Sequence, residues 1–185
     1  MQRLPHACAA GGHAAAQARR SRSLRRLQPH PLSGDAPILK ITAHVDGACR
    51  GNPGPASYGV YMRKDDGEIL EISGFLGTTT NNVAEYAGLL EALATAKSEG
   101  ATEVEIVSDS LLLVQQMLGT YRVKHPNLVP LFRRAKSMSL HFPKFKISHT
   151  LRVGNKDADR LANAALDRPG RTPNDRWIER HRVDS

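Results

Sequence analysis

Cysteine is scarce in this chain. Its 185 residues hold two, Cys8 and Cys49, which excludes a disulfide framework, and no Cys-x-x-Cys pair offers a zinc site. The default setting for such a chain is reduced and intracellular, and a cytoplasmic location is expected. Aromatic residues make up only 5%, with a single Trp, Trp177. No apolar run approaches the roughly 20 residues that a membrane-spanning helix needs, so no membrane partner is expected. No hydrophobic core of a secretory signal stands near the start. Acids are missing from the first 34 residues, which carry six Arg and no Lys. With those six removed from the formal total of +8, the remainder is +2, so the part able to fold is only mildly basic. Such a balance suits a polyanionic partner without identifying one.

What is present divides the chain in three. Residues 1–36 are rich in Ala, Arg, Gly, His and Pro, show no clear period, and are expected to be a disordered basic extension. A nucleic-acid arm, an organelle transit peptide and an upstream start that adds residues without a role all fit this composition. The last is the simplest, because the segment contains helix breakers and nothing in the domain calls for it. Residues 38–167 read as one domain. Residues 168–185, with Pro169, Gly170, Pro173 and many charges, read as a flexible tail.

Within the domain, Leu39, Ile41, Ala43 and Val45 alternate with Lys40, Thr42, His44 and Asp46, the period of a strand with one buried face. Asp46 is the last polar residue of that strand, before the Gly- and Pro-built loop Asp46-Gly47-Ala48-Cys49-Arg50-Gly51-Asn52-Pro53-Gly54-Pro55. Tyr58, Val60 and Met62 mark a second strand, and Leu70, Ile72 and Phe75 a third. Val83, Tyr86, Ala87, Leu90, Leu93 and Ala94 fall at helical spacing, with Glu85 expected in the first turn. Val104 and Ile106 mark a fourth strand leading into Ser108-Asp109-Ser110. Helices follow over Leu111 to Leu118, ending at Gly119, and from Asn127 to about Leu140. Phe145, Ile147 and His149 mark a fifth strand. A last helix has Ala158, Leu161, Ala162 and Ala165 on its apolar face and Asn155 as its cap. The order is β-β-β-α-β-α-α-β-α. Short links make the first three strands antiparallel, and helical crossovers make the later ones parallel. The fold class is therefore α/β, a five-stranded mixed sheet flanked by helices.

Four acids recur at element ends: Asp46, Glu85, Asp109 and Asp159. Each has a structural explanation as well, Asp109 as an N-cap and Glu85 and Asp159 as partners of a helix dipole. If Asp46 and Asp109 lie on adjacent parallel strands, however, both emerge at the carboxyl edge, where open α/β sheets bind ligands. Carboxylates converging there would repel, and oxygen-only ligands favour Mg²⁺ or Mn²⁺ over zinc.

These blocks, taken in order, resemble type 1 ribonuclease H. The loop Asp46 to Pro55 resembles its first catalytic block, Thr79-Thr80-Asn81-Asn82-Val83-Ala84-Glu85 its second, Ser108-Asp109-Ser110 its third, and Asn155-Lys156-Asp157-Ala158-Asp159-Arg160-Leu161-Ala162 its fourth. The resemblance implies the ribonuclease H-like fold and hydrolysis of the RNA strand of an RNA–DNA hybrid by a monomer. It implies that Asp46, Glu85, Asp109 and Asp159 hold two Mg²⁺ ions, with Mn²⁺ able to substitute, about 3.5–4 Å apart across an in-line displacement that leaves a 5′-phosphate. Asn52, Asn81 and Asn82 are similar to residues at the hybrid's minor groove, where 2′-hydroxyls mark the RNA strand. Thr80 resembles a residue that binds a DNA-strand phosphate. All four also suit turns and caps.

Two departures stand out. Tyr121-Arg122-Val123-Lys124 leads almost directly into the next helix, so the basic, Trp-containing handle of some members is absent, as in handle-less bacterial and archaeal types. No glycine-rich loop carries the auxiliary histidine; His149 and Arg152 are both candidates for that role. A DNA-acting nuclease of the same superfamily and a catalytically weak hybrid- or RNA-binding module remain rivals. The pair Asn81-Asn82 speaks against the first, and the intact set of acids against the second. Because residues 1–36 lack a core and every acid of the set lies beyond them, a chain beginning at Pro37 is expected to keep hybrid cleavage at moderate salt. Lost cleavage by a folded chain of that length would restore the basic-arm reading, with a steeper salt dependence for the full chain.

Overall fold

The computed structural model describes residues 38–168; the expected extension over 1–36 and nearly all of the tail lie outside the described residues. The elements are β1 (Lys40–Cys49), β2 (Gly54–Lys64), β3 (Ile69–Thr79), α1 (Asn81–Ser98), β4 (Glu103–Ser108), α2 (Leu111–Leu118), α3 (Val129–Ser139), β5 (Lys144–His149) and α4 (Lys156–Asp167). The sheet order is β3-β2-β1-β4-β5. β1, β2 and β3 pair antiparallel, whereas β4 lies parallel to both β1 and β5. The expected mixed sheet is the one observed.

Two local expectations need correction. β1 does not end at Asp46 but runs on to Cys49, because β2 keeps pairing with it as far as Cys49 and Ala56. Glu85 is not in the first turn of α1: the helix begins at Asn81, so Glu85 opens its second turn. β3 carries one irregularity. A bulge opposite Ala56 and Ser57 shifts the register there, and Leu76 is the extra residue that ends up buried.

The two faces are covered by different helices, and a pair of glycines shows how. A Cβ on Gly47 would come within 2.5 Å of Glu85 N, so α1 lies directly on β1 there. A Cβ on Gly59 would overlap Ala158 O and Ala162 N, so α4 lies directly on β2. Gly59 pairs with Asp46 across the ladder, and Asp46 and Gly47 point to opposite faces. Hence α1 and α4 cover opposite faces. Ser57 ties α4 down further, its hydroxyl donating to Ala162 O at 2.6 Å. Ile41, Ala43 and Val45 pack beneath α1 with Tyr58, Val60 and Met62. α1 carries α3 on its outer side and buries Ala84 to Leu90 without a break, a sandwiched helix rather than a half-exposed one.

Gly59→Ala is expected to push α4 off β2. Overpacking of this kind costs about 1–3 kcal/mol. Urea unfolding is the measurement, and an unchanged midpoint would show that α4 does not rest on Gly59.

Candidate active site

β1 and β4 run side by side only as far as Val45 and Ser108. Beyond that pair, β1 stays with β2 while the chain after Ser108 turns into α2, so a crevice opens between them. Asp46 and Asp109 are the first residues past the last rung. The turn is locally determined: Ser110 N donates to Ser108 Oγ at 3.1 Å, and Ser110 Oγ caps α2 at Leu113 N. Asp109 is therefore not the cap, and its carboxylate is free to face the crevice.

Glu85 enters from α1 and is 5% exposed; Asp46 is 6% exposed. Asn81 Nδ2 reaches Glu85 Oε1 at 3.5 Å, while Glu85 Oε2 is buried without a partner. Ligand atoms of Asp46, Glu85 and Asp109 all lie within 4.8 Å of one another. Asp159, in the first turn of α4, lines the same cavity of about 440 Å³ but is not part of that tight group. Its Oδ1 accepts from Arg152 Nη2 at 2.7 Å. Asn81 and Arg152 also line the cavity. Asn52 stands outside it and holds its rim, its Oδ1 accepting from Asn81 N at 3.2 Å. Thr80 caps α1 through Val83 N. Asn82 sits in the first turn of α1, outside the cavity lining, and His149 is exposed at the end of β5, also outside it. Of the two auxiliary candidates, the fold brings Arg152 to the acids and leaves His149 away.

A family described as Reverse transcriptase-like matches residues 44–165. A Mycobacterium tuberculosis protein described as bifunctional is 44% identical over 131 residues, 70% of this chain and 36% of that protein, so the chain spans little more than a third of that relative's length. RNase H1 of the halophilic archaeon Halobacterium salinarum, a solved structure, is 40% identical with a TM-score of 0.66, covering 69% of this chain and 98% of that one. LC11-RNase H1, solved in complex with an RNA/DNA hybrid, is 41% identical with a TM-score of 0.64, covering 69% and 96%. The chain belongs to the type 1 ribonuclease H family.

Two further residues of this ribonuclease H site escaped the sequence reading. Asn155, expected to cap α4, makes no cap bond and turns its amide inward to Val45 O and Asp109 Oδ1. Nothing in the sequence separates an asparagine that caps a helix from one that turns away. Asn163 lines the cavity and donates to Asp159 O at 2.9 Å. Its spacing of four residues from Asp159 was the available signal.

The donor set fits a hard divalent cation: three carboxylates in close register, all-oxygen, with an orphaned buried oxygen on Glu85. Their proton affinities say the same. Burial, then Asp109 and Asp159, push Asp46 up to about 7, and burial, Asp46 and Asp109 raise Glu85 well above the usual carboxylate range. An acid whose folded-state pKa is raised binds more protons folded than unfolded. The stability it lends is present at low pH and is lost as pH rises toward 7. The metal-free protein should therefore melt lower at pH 8 than at pH 5.5 by this contribution. Added Mg²⁺ should raise the melting temperature most at pH 8. Asp46→Asn, which removes the titrating group, should flatten the pH dependence and stabilise the metal-free protein at pH 8. Thermal melts across pH check all of these, and a parent and variant with parallel pH profiles would show that Asp46 is not strained by its neighbours.

Proposed function

We propose that this chain is an endoribonuclease that hydrolyses the RNA strand of RNA–DNA hybrids and leaves 5′-phosphates. The observation that carries the reading is the group Asp46, Glu85 and Asp109 at the mouth of the β1–β4 crevice, with Asp159 beside it. That a 41% identical relative was solved with an RNA/DNA hybrid supports the choice of substrate. The four carboxylates would hold two Mg²⁺ ions, or Mn²⁺ in their place. Bound there, the ions supply charge neutralisation at the phosphodiester, a water of lowered pKa and stabilisation of the departing 3′ oxygen.

The chain's own residues do the rest. Glu85, fixed on a buried helix, and Asp46, fixed on a central strand, cannot swing away, so the site is set before substrate arrives. Arg152 presents a guanidinium that is 78% exposed at the rim, placed to meet a backbone phosphate while its contact with Asp159 holds it. Asn52 and Asn81 bring amides and turn backbone together at the opening, suited to pairing with 2′-hydroxyls in the minor groove. Thr80, at the start of α1, has a hydroxyl that suits a phosphate of the DNA strand, and Asn82 would join the minor-groove contacts.

The charge distribution favours a polyanion on one flank. Between Asp109 and Asp157 the sequence has no acid but nine cations, from Arg122 to Lys156. Lys144 and Lys146 pair with Glu103 and Glu105, and Arg152 pairs with Asp159. Arg122, Lys124 and Arg133 are exposed, stand in none of the ion pairs found among the described residues, and are available to phosphates. No helix among the described residues is long and apolar enough to cross a membrane. The enzyme is proposed to act as a cytoplasmic monomer.

Cleavage of a hybrid should require Mg²⁺ or Mn²⁺ and should spare matched single strands and duplex DNA. Asp109→Asn should remove most of the activity and keep the fold; a variant that cuts at the parent rate would sink the metal-site assignment. In DNA duplexes with one, two, four and six embedded ribonucleotides, the single one should be a poor substrate. About four should restore cleavage, since minor-groove contacts spread over neighbouring sugars. Equal rates across the series would mean that the amides shape turns and something else selects RNA.

A further inference from the structure

Asn155 stands where an asparagine ordinarily caps a helix by accepting a backbone N–H. It makes no cap bond to α4. Instead the residue is 1% exposed, and its Nδ2 donates to Val45 O at 2.9 Å and to Asp109 Oδ1 at 3.0 Å. Both partners are acceptors, so only the amide nitrogen can face them and the orientation is fixed. The amide oxygen is left buried without a partner. An asparagine that gives up its cap and strands its own oxygen loses stability on both counts. That loss is explained by what the amide holds.

Its amide reaches two of the four acids. Val45 is the residue before Asp46, and Asp109 is bonded directly; the backbone carbonyl of Asn155 separately accepts Asp159 N at 3.1 Å, as in any first helical turn. Asn155 therefore replaces the missing rung between β1 and β4 at the level where their own pairing has ended. The tie is neutral, so it aligns the carboxylates without cancelling their charge. We propose that Asn155 is a positioning residue: it sets the spacing of Asp46 and Asp109, and through that spacing the affinity of the site for divalent cations. The proposal rests on the reading of these acids as a metal site.

Serine and aspartate both cap helices well, but neither offers the two amide protons. Asn155→Ser and Asn155→Asp thus keep the structural role and remove the tie. Asn155→Ser should weaken Mn²⁺ binding to the protein without nucleic acid by about 10–100-fold, read by calorimetry, the range for losing a group that orients metal ligands. Both variants should lower kcat for hybrid cleavage at fixed Mg²⁺ by about tenfold or more, with KM little changed, and excess Mn²⁺ should partly restore the Ser variant. Measurements are made where circular dichroism shows each variant folded. Leu166→Ala, which opens a void beneath α4 away from the acids, serves as the control and should bind Mn²⁺ like the parent. Parent-like Mn²⁺ affinity in the Ser variant, or parent-like kcat in the Asp variant, would overturn the proposal. If the parent binds Mn²⁺ but does not cut hybrids, the proposed activity fails, while the comparison of affinities still decides the role of Asn155.

Discussion

The parting of β1 and β4 after Val45 and Ser108 is the constraint on which the site depends. It exposes two strand ends side by side, and α1 adds a third carboxylate from above. Two unit charges about 5 Å apart at an effective dielectric near 20 repel by about 3 kcal/mol, and a third charge adds further pairs. The described chain has no cation inside the tight group to offset this. Without a bound cation, protons do so: burial and then the neighbouring acids push Asp46 up to about 7 and raise Glu85 well above the usual carboxylate range. The fold is thus slightly opposed to its own site, and a divalent cation bound there would relieve the opposition.

Glycine makes that arrangement reachable. Glu85 can sit against β1 because Gly47 has no Cβ where Glu85 N and Ala84 lie. On the far face Gly59 gives α4 the same close approach, and α4 carries Asp159. Packing and chemistry therefore share one set of contacts. A side chain at either glycine would move an acid as well as a helix, so these positions constrain activity and stability together.

The alternation from Leu39 to Asp46 and the helical spacing from Val83 to Ala94 made the sheet, its order of elements and the four acids legible, because both patterns come from one buried face meeting a core. The bulge at Leu76 was not legible, since a bulge has no signature in alternation alone. The end of β1 was misplaced because Gly and Pro suggest a loop, whereas pairing with β2 carries the strand to Cys49. The choice between His149 and Arg152 needed the turn at Arg152–Gly154, which swings one side chain toward Asp159 and leaves the other on an exposed strand end. Thr80 was expected as a cap or a phosphate ligand, and its hydroxyl does cap α1, which leaves the second role to the chemistry of the substrate.

The pattern of partners around the acids explains why so many asparagines gather here. Asn81 contacts Glu85, Asn155 contacts Asp109, and Asn163 holds the backbone of Asp159. Amides orient carboxylates by hydrogen bonds yet leave their charge intact. A Lys or Arg in the same places would hold them as firmly and also neutralise them, removing the need for a metal ion. Among the described residues the one guanidinium that lines the cavity, Arg152, contacts Asp159, the acid that stands apart from the tight group, and does so from the exposed rim. Neutral donors inside and a cation only at the edge keep the negative potential focused on the crevice. There a divalent ion gains most, and beside it a phosphate can still approach Arg152.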